Sequence, residues 1–406
     1  MSVENATHLY RKLFANVPHP RGSCHDLRMF VYDLPEYVVA GTLRNAERLV
    51  NLNCLMGKCK HSFGNSLYTY TGELFVLRRL LAQCERVSRP DAADFFLVPF
   101  PLSLWRVVGW SAGRSVRDIK AALTPHLLHM TDFNAHMHVF LDTNDSVFLM
   151  DFEKLPRFSR AIVVHLGPDL WSGHMRNAWT VVRKQEFKNS IIVPYRIHVI
   201  GDCRHTKQTR NVTVFGALNP NRHPIRSALI RHFAAQNGPD VHVKPMSDFV
   251  DIEETVVRWT QRSKYCLAPA GDTPSVTQRF PAAVACGCVP VYVDPYKRIG
   301  GLNDSVPALQ ATLPFHRSTD WRRAAVRVSA VDGLPGEGVL PAAGHSHEWR
   351  ISRALSRRMQ YDLKTSDDAS QGALDELRLA LSFGNARWGG GEGVRGEAGS
   401  GSVRVR

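Results

Sequence analysis

Residues 263–294 read SKYCLAPAGDTPSVTQRFPAAVACGCVPVYVD, and their pattern decides the fold class of the chain. Two short apolar runs, at residues 265–268 and 289–293, lie on either side of a glycine-bearing loop and a helix-like stretch. Apolar runs of this length separated by a helical segment are typical of neighbouring strands in a parallel sheet. The pattern therefore predicts a strand–loop–helix–strand unit. Nucleotides and phosphates bind at the carboxyl edge of such units.

The predicted loop and helix start carry residues suited to an anion. Gly271 allows the chain to turn sharply, and Thr273 followed by Pro274 is typical of a helix N-cap and first helical position. Arg279 would then lie one to two turns into the helix, where a guanidinium pairs well with phosphate oxygens. Gly287 predicts the C-terminal cap of that helix. The alternative is a structural unit of the same shape that binds no ligand.

This stretch resembles the C-terminal signature of the exostosin-like glycosyltransferases, glycosyltransferase family 47. That signature runs approximately S-x-[YF]-C-L-x-P-x-G-D-[TS]-P-[ST]-S-x-R, followed after a short helix by G-C-[IV]-P-V. The match requires one extra residue between Pro274 and Arg279. The matching positions are Ser263, Cys266, Leu267, Pro269, Gly271, Asp272, Pro274, Ser275, Arg279, Ala283, Gly287, Cys288, Pro290 and Val291.

The resemblance extends over roughly residues 27 to 385, most of the chain. Other family-like segments are the opening strand at 29–35, the pair Tyr68 and Glu73, residues 91–100, the pair His138 and Asp145, residues 191–194, the stretch from Arg210 to Arg226, and residues 313–321. The resemblance implies an α/β protein of GT-B type, with two Rossmann-like domains facing across a cleft. Alternating apolar runs and helical patterns along the chain favour the same parallel-sheet class.

The predicted domain boundaries follow the two series of apolar runs. Residues 1–25 read as a polar lead-in, and 26–204 as an N-terminal domain that would bind the acceptor. Residues 205–388 read as a C-terminal domain that would bind the donor, and the Gly-rich tail, 389–406, as disordered. By resemblance, the reaction is the inverting transfer of a sugar from a nucleotide-sugar, a UDP-sugar in most of the family, to a glycan acceptor.

The candidate site residues divide by role. For the donor they are Arg279, Gly271, Asp272, Thr273, Ser275, Arg226 and Arg210, with surface charge as the alternative for Arg226 and Arg210. For the base that activates the acceptor hydroxyl they are His138, Asp145 and Asp272, with a structural histidine as the alternative for His138. Asp272 is favoured as a residue that stabilises its loop. Glu73 is the acceptor-binding candidate, with a plain helix-start charge as its alternative.

Three positions depart from the family pattern. Ala282 stands where the family has Asp or Glu, a position that in GT-B enzymes commonly holds the donor ribose hydroxyls. Pro281 beside it lies inside the predicted helix, where a proline costs about 3 kcal/mol. Ser190 replaces an acidic residue of the strand before 191–194. These departures motivate a second reading, a weak or inactive family member that scaffolds a partner glycosyltransferase or binds glycan.

Charge and composition limit the function classes further. The 406 residues carry 51 basic and 37 acidic side chains, a net charge of +14. The basic residues are spread along the chain and form no run with interleaved aromatics, so we expect no nucleic-acid partner. The sequence contains no Asp-x-Asp, the motif by which many glycosyltransferases hold a divalent ion. We therefore expect metal-independent transfer, with no cofactor beyond the nucleotide-sugar substrate.

The cysteines and the targeting signals of the sequence indicate the cellular compartment of the protein. The eight cysteines lack paired zinc spacing. Cys54 and Cys59 form either a local disulfide or free thiols, and Cys266, Cys286 and Cys288 are expected to be buried and simply to pack. The family resemblance implies the Golgi. The polar start of the chain shows no signal peptide, and no stretch approaches the roughly 20 apolar residues of a membrane span.

Overall fold

A computed structural model describes the part of the chain that carries the strands and helices below. The described residues are 24, 26–35, 38–39, 41–42, 71–111, 121–143, 160–166, 190–196, 203, 209–221, 224–236, 238–249, 252–269, 277–294, 313–315, 317–329, 359 and 369–388.

The first sheet has six parallel strands in the order β2-β1-β3-β4-β5-β6. Its central strands are buried along their whole length, as expected for a sheet covered on both faces. The strands are β1 Arg28–Val31, β2 Glu85–Arg86, β3 Phe95–Pro101, β4 His138–Asp142, β5 Ile162–His165 and β6 Ser190–Ile192. Helix α1, Gly72–Gln83, precedes β2, and α2, Leu102–Ser111, follows β3 directly.

The second sheet has five parallel strands in the order β11-β10-β9-β7-β8. The strands are β7 Val212–Leu218, β8 Val241–Pro245, β9 Ser263–Pro269, β10 Val289–Asp294 and β11 Val326–Ser329. The helices between them are α3 Pro224–Gln236, α4 Ile252–Arg262 and α5 Arg279–Ala285. The predicted strands at 265–268 and 289–293 are confirmed within β9 and β10.

Both sheets follow the doubly wound order 2-1-3-4-5, in which the strand order reverses between the first and third strands. The reversal falls between β1 and β3 in the first sheet, and between β7 and β9 in the second. Helices that leave the two strands at such a switch point go to opposite faces, which opens a crevice at the carboxyl edge. The predicted fold class, two Rossmann-like α/β units of GT-B type, is confirmed.

The C-terminal helix returns to the first sheet. Helix α6, Ala369–Trp388, packs against α1 and β6, and Arg79 of α1 donates a hydrogen bond to Gln371 Oε1 at 3.1 Å. Earlier in the chain, the amide of Phe315 donates to the carbonyl of Ile192 in β6 at 2.9 Å. The sequence-based assignment of residues 205–388 to the second domain is therefore wrong for α6. Sequence does not show which sheet a helix covers.

A close contact inside this return gives a stability prediction. The Cα of Gly372 lies so near the buried Phe315 ring that an added Cβ would stand 2.9 Å from Cζ. Gly372→Ala should therefore lower the free energy of unfolding by about 2 kcal/mol, because the ring has no room to move. Gly41→Ala is the control, since a Cβ there meets nothing within 4 Å. Equal unfolding midpoints in denaturant for both variants would contradict this packing.

The six described cysteines form three disulfides. Cys24 pairs with Cys84, Cys203 with Cys286, and Cys266 with Cys288. The prediction that the last three cysteines in the sequence only pack is wrong, because their partners meet through the fold across gaps of 83 and 22 residues. Cys54 and Cys59 lie outside the described residues. Closing loops of these lengths constrains the unfolded chain by about 3 to 5 kcal/mol for each bridge.

Candidate functional site

A small recess lies at the switch point of the second sheet. Its floor is formed by the middle of β7 and β9, including Gly216 and Leu267, and its walls by α4 and the start of α5. From α4 come Val256 and Thr260; from α5 and its N-cap come Gln278, Arg279 and Ala282. Its volume of about 20 Å³ admits a water-sized group and not a whole nucleotide. The end of a ligand, such as a phosphate oxygen, matches that space.

Arg279 is the first residue of α5, at the carboxyl edge of the sheet. The expectation that it lies one to two turns into a helix beginning at Thr273 is corrected, because the chain is not helical at Thr277 and Gln278. Its Nη2 lies 3.3 Å from the sulfur of Met246, which follows β8. The thioether is a weak acceptor, so this contact leaves the charge largely uncompensated.

Electrostatics set Arg279 apart from an ordinary surface arginine. Burial, and then the charge of nearby Arg226, lower the pKa of Arg279 to about 9. Within the described part of the chain no carboxylate counters these two effects. An arginine is still protonated at neutral pH, so the recess holds a destabilised cation. Binding an anion would remove that penalty.

Arg226 comes from the other side of the switch point. Arg226 lies near the start of α3, the helix that follows β7, and only 7% of its surface is exposed. Because α5 follows β9, the two strands that flank the reversal each deliver one arginine to the same region. The charge of Arg226 acts on Arg279, and a diphosphate bound near both would carry charge of the opposite sign. The donor roles of Arg226 and Arg279 stay predictions.

Arg210 has a structural position instead. Its guanidinium donates to the carbonyls of Thr260 at 3.1 Å and Cys286 at 2.8 Å, and also to that of Ser263. It thereby satisfies carbonyls at the C-terminal ends of α4 and α5, the ends that favour a cation. These bonds already occupy its donors, so the geometry favours a structural role over the predicted donor contact.

The C-terminal end of α5 is a Schellman turn. Gly287 has a φ of +71°, its amide donates to the carbonyl of Val284 at 3.0 Å, and the Cys288 amide donates to that of Ala283 at 2.9 Å. The predicted glycine cap is confirmed. A side chain at this position would be strained by φ and would also meet Arg210 Nη2 at 3.0 Å.

The late start of α5 changes the meaning of Pro281 and Ala282. Pro281 is the third helical residue, where the backbone N–H has no partner within the helix, so the expected cost of a mid-helix proline does not arise. Ala282 lines the recess, as its place in the motif predicts, and offers no acceptor for ribose hydroxyls. Thr260 and Gln278 are polar residues of the same wall.

Five predicted site residues lie outside the described residues: Gly271, Asp272, Thr273 and Ser275 of the donor loop, and the base candidate Asp145. Their roles stay predictions.

Glu73 lies at the switch point of the first sheet, fully buried near the start of α1. Its Oε1 accepts from the amide of Leu104 at 2.8 Å and its Oε2 from the amide of Ser103 at 3.1 Å. Those amides belong to the first turn of α2, and the amides of a first turn have no acceptor within their own helix. Its own amide donates to Thr143 Oγ1 at 3.1 Å. Burial, and to a lesser degree the nearby Asp142, raise its pKa well above the usual range.

These bonds correct the acceptor-binding prediction for Glu73. A side chain with no exposed surface does not contact an acceptor, and its carboxylate already occupies the anion position at the start of α2. The two switch points therefore differ in what occupies them. The first is filled by an internal carboxylate, whereas the second presents two arginines.

His138 is buried at the opposite edge of the first sheet. It is the first residue of β4, so it lies at the amino edge, away from the carboxyl edge where ligands bind. Its Nε2 is 2.8 Å from the Tyr32 hydroxyl, its Nδ1 is 2.9 Å from the Asn134 carbonyl, and its ring stacks on Phe96 at 4.5 Å. Both ring nitrogens are engaged, which corrects the prediction that His138 is the base.

His138 should instead control stability at acid pH. Burial, which outweighs its hydrogen bond to Asn134, lowers its pKa from 6.5 to about 4. A histidine with a lowered folded-state pKa stabilises above the unfolded pKa, and that contribution is lost as pH falls toward the folded pKa. The free energy of unfolding should drop by about 2 kcal/mol between about pH 7.5 and pH 5 from this residue.

Denaturant unfolding at both pH values checks this effect. The decrease in the free energy of unfolding between the two pH values should be about 2 kcal/mol smaller in His138→Gln than in wild type. His126→Gln, at a partly exposed histidine, should show the same decrease as wild type. An unchanged pH slope in His138→Gln would refute the assignment.

The structure also brings together residues that sequence reasoning missed. Asp142 ends β4 and His165 ends β5, and the two are direct neighbours in the parallel register. The hydroxyl of Ser103 donates to Asp142 Oδ1 at 3.0 Å, which joins Asp142 to the network of Glu73. The signal was present in the sequence, since both are polar residues that end apolar runs, but their register depends on the fold.

Two doubly wound parallel sheets define the class as an α/β protein of GT-B type. The chain belongs to the exostosin GT47 family, because the exostosin GT47 domain matches residues 23–334. That assignment makes it a member of a glycosyltransferase family and confirms the resemblance seen in residues 263–294.

Two curated relatives come from Arabidopsis thaliana. A xyloglucan-specific galacturonosyltransferase is 23% identical over 312 residues, covering 68% of this chain and 45% of the relative. A probable xyloglucan galactosyltransferase is 22% identical over 327 residues, covering 68% of this chain and 66% of the relative. The chain thus spans between about half and two thirds of the length of these relatives.

Solved structures give weaker likenesses. The calicheamicin glycosyltransferase CalG4 aligns with a TM-score of 0.31 and 14% identity over 88% of this chain and 99% of its own. The spinosyn forosaminyltransferase SpnP aligns with a TM-score of 0.30 and 11% identity over 88% of this chain and all of its own. Among the described helices, none is long and apolar enough to cross a membrane.

Proposed function

We propose that this protein is an inverting glycosyltransferase that moves a sugar from a nucleotide-sugar, a UDP-sugar, to a glycan acceptor. One observation carries the proposal. Arg279 lines the recess at the switch point of the second sheet with the charge of Arg226 nearby, and among the described residues no carboxylate offsets the lowered pKa of Arg279. Such a position at the carboxyl edge matches the diphosphate of a sugar nucleotide. Family membership supports the same reaction class.

The chemistry asked of the two arginines is leaving-group stabilisation. In the transfer, the bond between the anomeric carbon and the terminal phosphate oxygen breaks, and its electron pair stays on the diphosphate. An acceptor hydroxyl oxygen forms the new bond from the opposite face and loses its proton to a base. Two partly buried guanidinium groups that are already in place stabilise the growing negative charge on the diphosphate more than they stabilise the bound donor.

The proposal assigns no metal ion to this step. The basis is the absence of Asp-x-Asp from the sequence, together with the two cations that take the place of a metal at the phosphates. In the described part of the chain no group of three or more metal-ligating side chains comes together. The base for the acceptor hydroxyl is assigned to Asp145, the candidate that remains after His138.

A donor screen tests the proposed function. The protein is incubated with UDP-, GDP- and CMP-sugars and a xyloglucan oligosaccharide series, and release of free nucleotide is measured. We expect release from one UDP-sugar, and NMR of the product should show an inverted anomeric configuration. Absence of turnover with every donor, combined with no calorimetric affinity for any nucleoside diphosphate, would reject the proposal.

One observation favours a second candidate function. Ala282 lines the recess where the family has an acidic residue, so a donor would lose its usual ribose contact. A scaffold for a partner glycosyltransferase, or a glycan-binding subunit, tolerates that loss. Titration with UDP separates the two: a scaffold shows no affinity, whereas the enzyme binds UDP.

The proposed location is the Golgi lumen. Three disulfides among the described cysteines fit an oxidising compartment, because structural disulfides are rare where glutathione keeps thiols reduced. The two relatives from Arabidopsis thaliana are a xyloglucan-specific galacturonosyltransferase and a probable xyloglucan galactosyltransferase. The proposed partners of this chain are accordingly a nucleotide-sugar and a glycan.

A further inference from the structure

The C-terminal end of α5 is fastened to the rest of the protein in three ways. The carbonyl of Cys286, the C-cap, accepts from Arg210 Nη2 at 2.8 Å. Two residues on, Cys288 is bonded to Cys266 of β9. The side chain of Cys286 itself is bonded to Cys203, a residue outside both sheets.

Cys203 belongs to the crossover, which we define as residues 197–208, the connection between the two sheets. At its beginning, Arg196 donates to Thr71 Oγ1 at 2.8 Å and its guanidinium lies 4.5 Å from the Phe75 ring centre, so the chain is held on the first sheet. At its end, Arg210 holds the ends of α4 and α5. The Cys203–Cys286 bond therefore links the middle of the crossover to α5.

The other end of α5 carries Arg279. The helix has seven residues, so it is about 10 Å long and moves as one short rod. Any shift or rotation of its C-terminal end is passed to the guanidinium at its start. The disulfide is itself buried, with Cys203 8% and Cys286 7% exposed, and Val257 of α4 packs against it. It is thus built into the packing between α4 and α5, the two helices that wall the recess.

We propose that the Cys203–Cys286 disulfide is a positioning element for Arg279: it fastens the crossover to α5 and so holds the guanidinium in register with the diphosphate of the nucleotide. The inference rests on the proposed function for its ligand, and on the contacts of α5 for its mechanism. Without the bond, α5 keeps its ties to β9 through Cys266–Cys288 and to Arg210 through the Cys286 carbonyl, but it loses its covalent tie to Cys203 in the middle of the crossover. A misplacement of about 1 Å at a charged contact costs up to about 100-fold in the reaction it serves.

The test compares two double variants of the full chain. C203S/C286S opens the proposed positioning bond. C24S/C84S opens a disulfide beside the first sheet, 60 residues apart in sequence, whose cysteines do not line the recess. UDP affinity is measured by calorimetry, and hydrogen exchange is followed along the chain. We expect C203S/C286S to weaken UDP binding about tenfold and to raise exchange in residues 279–285, while C24S/C84S stays within about twofold of wild type.

The outcomes separate positioning from general stability. Unchanged UDP affinity in C203S/C286S, or an equal loss in both variants, overturns the proposal. If serine at the buried pair prevents folding, C203A/C286A keeps the apolar contact with Val257; failure of this variant too, while C24S/C84S folds, would make the bond a stability element and also overturn it. If wild type shows no UDP affinity, the proposed function fails, and the positioning role is then decided by hydrogen exchange in residues 279–285 alone. Faster exchange in C203S/C286S that is confined to α5 supports positioning, and unchanged exchange there refutes it.

Discussion

Arg279→Ala should weaken UDP binding by about 100-fold and abolish transfer, with the protein still folded. The reason is that a bidentate, charge-assisted contact to phosphate is lost from a site where few water molecules compete. Removing a cation that is destabilised by burial and by Arg226 relieves repulsion in the free protein, so the unfolding free energy should not fall. Calorimetric titration with UDP and thermal unfolding of the same samples measure both effects.

Two further variants sharpen this result. Arg279→Lys keeps a positive charge without the planar fork and should recover part of the affinity. Arg258→Ala removes an exposed arginine from α4, the neighbouring helix, and should bind UDP as wild type does. Equal affinity in Arg279→Ala and wild type would remove the proposed role of this residue.

Glu73→Ala should lower the free energy of unfolding by about 3 kcal/mol. The change leaves the amides of Ser103 and Leu104 buried without their acceptor, and each such group costs about 1 to 3 kcal/mol. It also leaves a cavity at the switch point of the first sheet. Urea unfolding at neutral pH gives the value directly.

The matched control is Glu85→Ala, at an exposed glutamate of β2 in the same sheet, which should change stability by less than about 0.5 kcal/mol. Glu73→Gln should fall between the two, because an amide oxygen replaces one of the two acceptors. A Glu73→Ala variant as stable as Glu85→Ala would show that the carboxylate does not organise the start of α2.

Much of the fold followed from local sequence. The apolar runs of β9 and β10, the glycine cap at Gly287 and the α/β class were all predictable, because each depends on neighbours within a few residues. The family signature added the two-unit architecture. The start of α5 was misplaced because proline and threonine at residues 273–274 carry a strong helix-start signal of their own.

The features that the sequence did not predict depend on contacts between residues far apart in the chain. The return of α6 to the first sheet depends on side chains nearly 300 positions apart, such as Arg79 and Gln371. The disulfide partners of Cys286 and Cys288 depend on how the crossover and β9 pass the end of α5. No periodicity in a sequence encodes such pairings.

The candidate site was predictable only in part, because the exposure of its residues depends on packing between distant parts of the chain. Arg279 and Arg226 were candidates because each lies in a family-like segment of the sequence, and their donor roles stay predictions. Glu73 and His138 were also found by motif, yet their roles differ from those predicted, because burial decides whether a polar residue meets a ligand or a backbone group. A motif locates such residues; whether they contact solvent depends on the packing around them.

The most direct test of the central claim is a crystal structure of the protein with UDP bound. We predict that the diphosphate lies at the switch point between β7 and β9, with its oxygens within hydrogen-bonding distance of the guanidinium groups of Arg279 and Arg226. UDP bound elsewhere on the chain, with Arg279 still turned to Met246, would contradict the account.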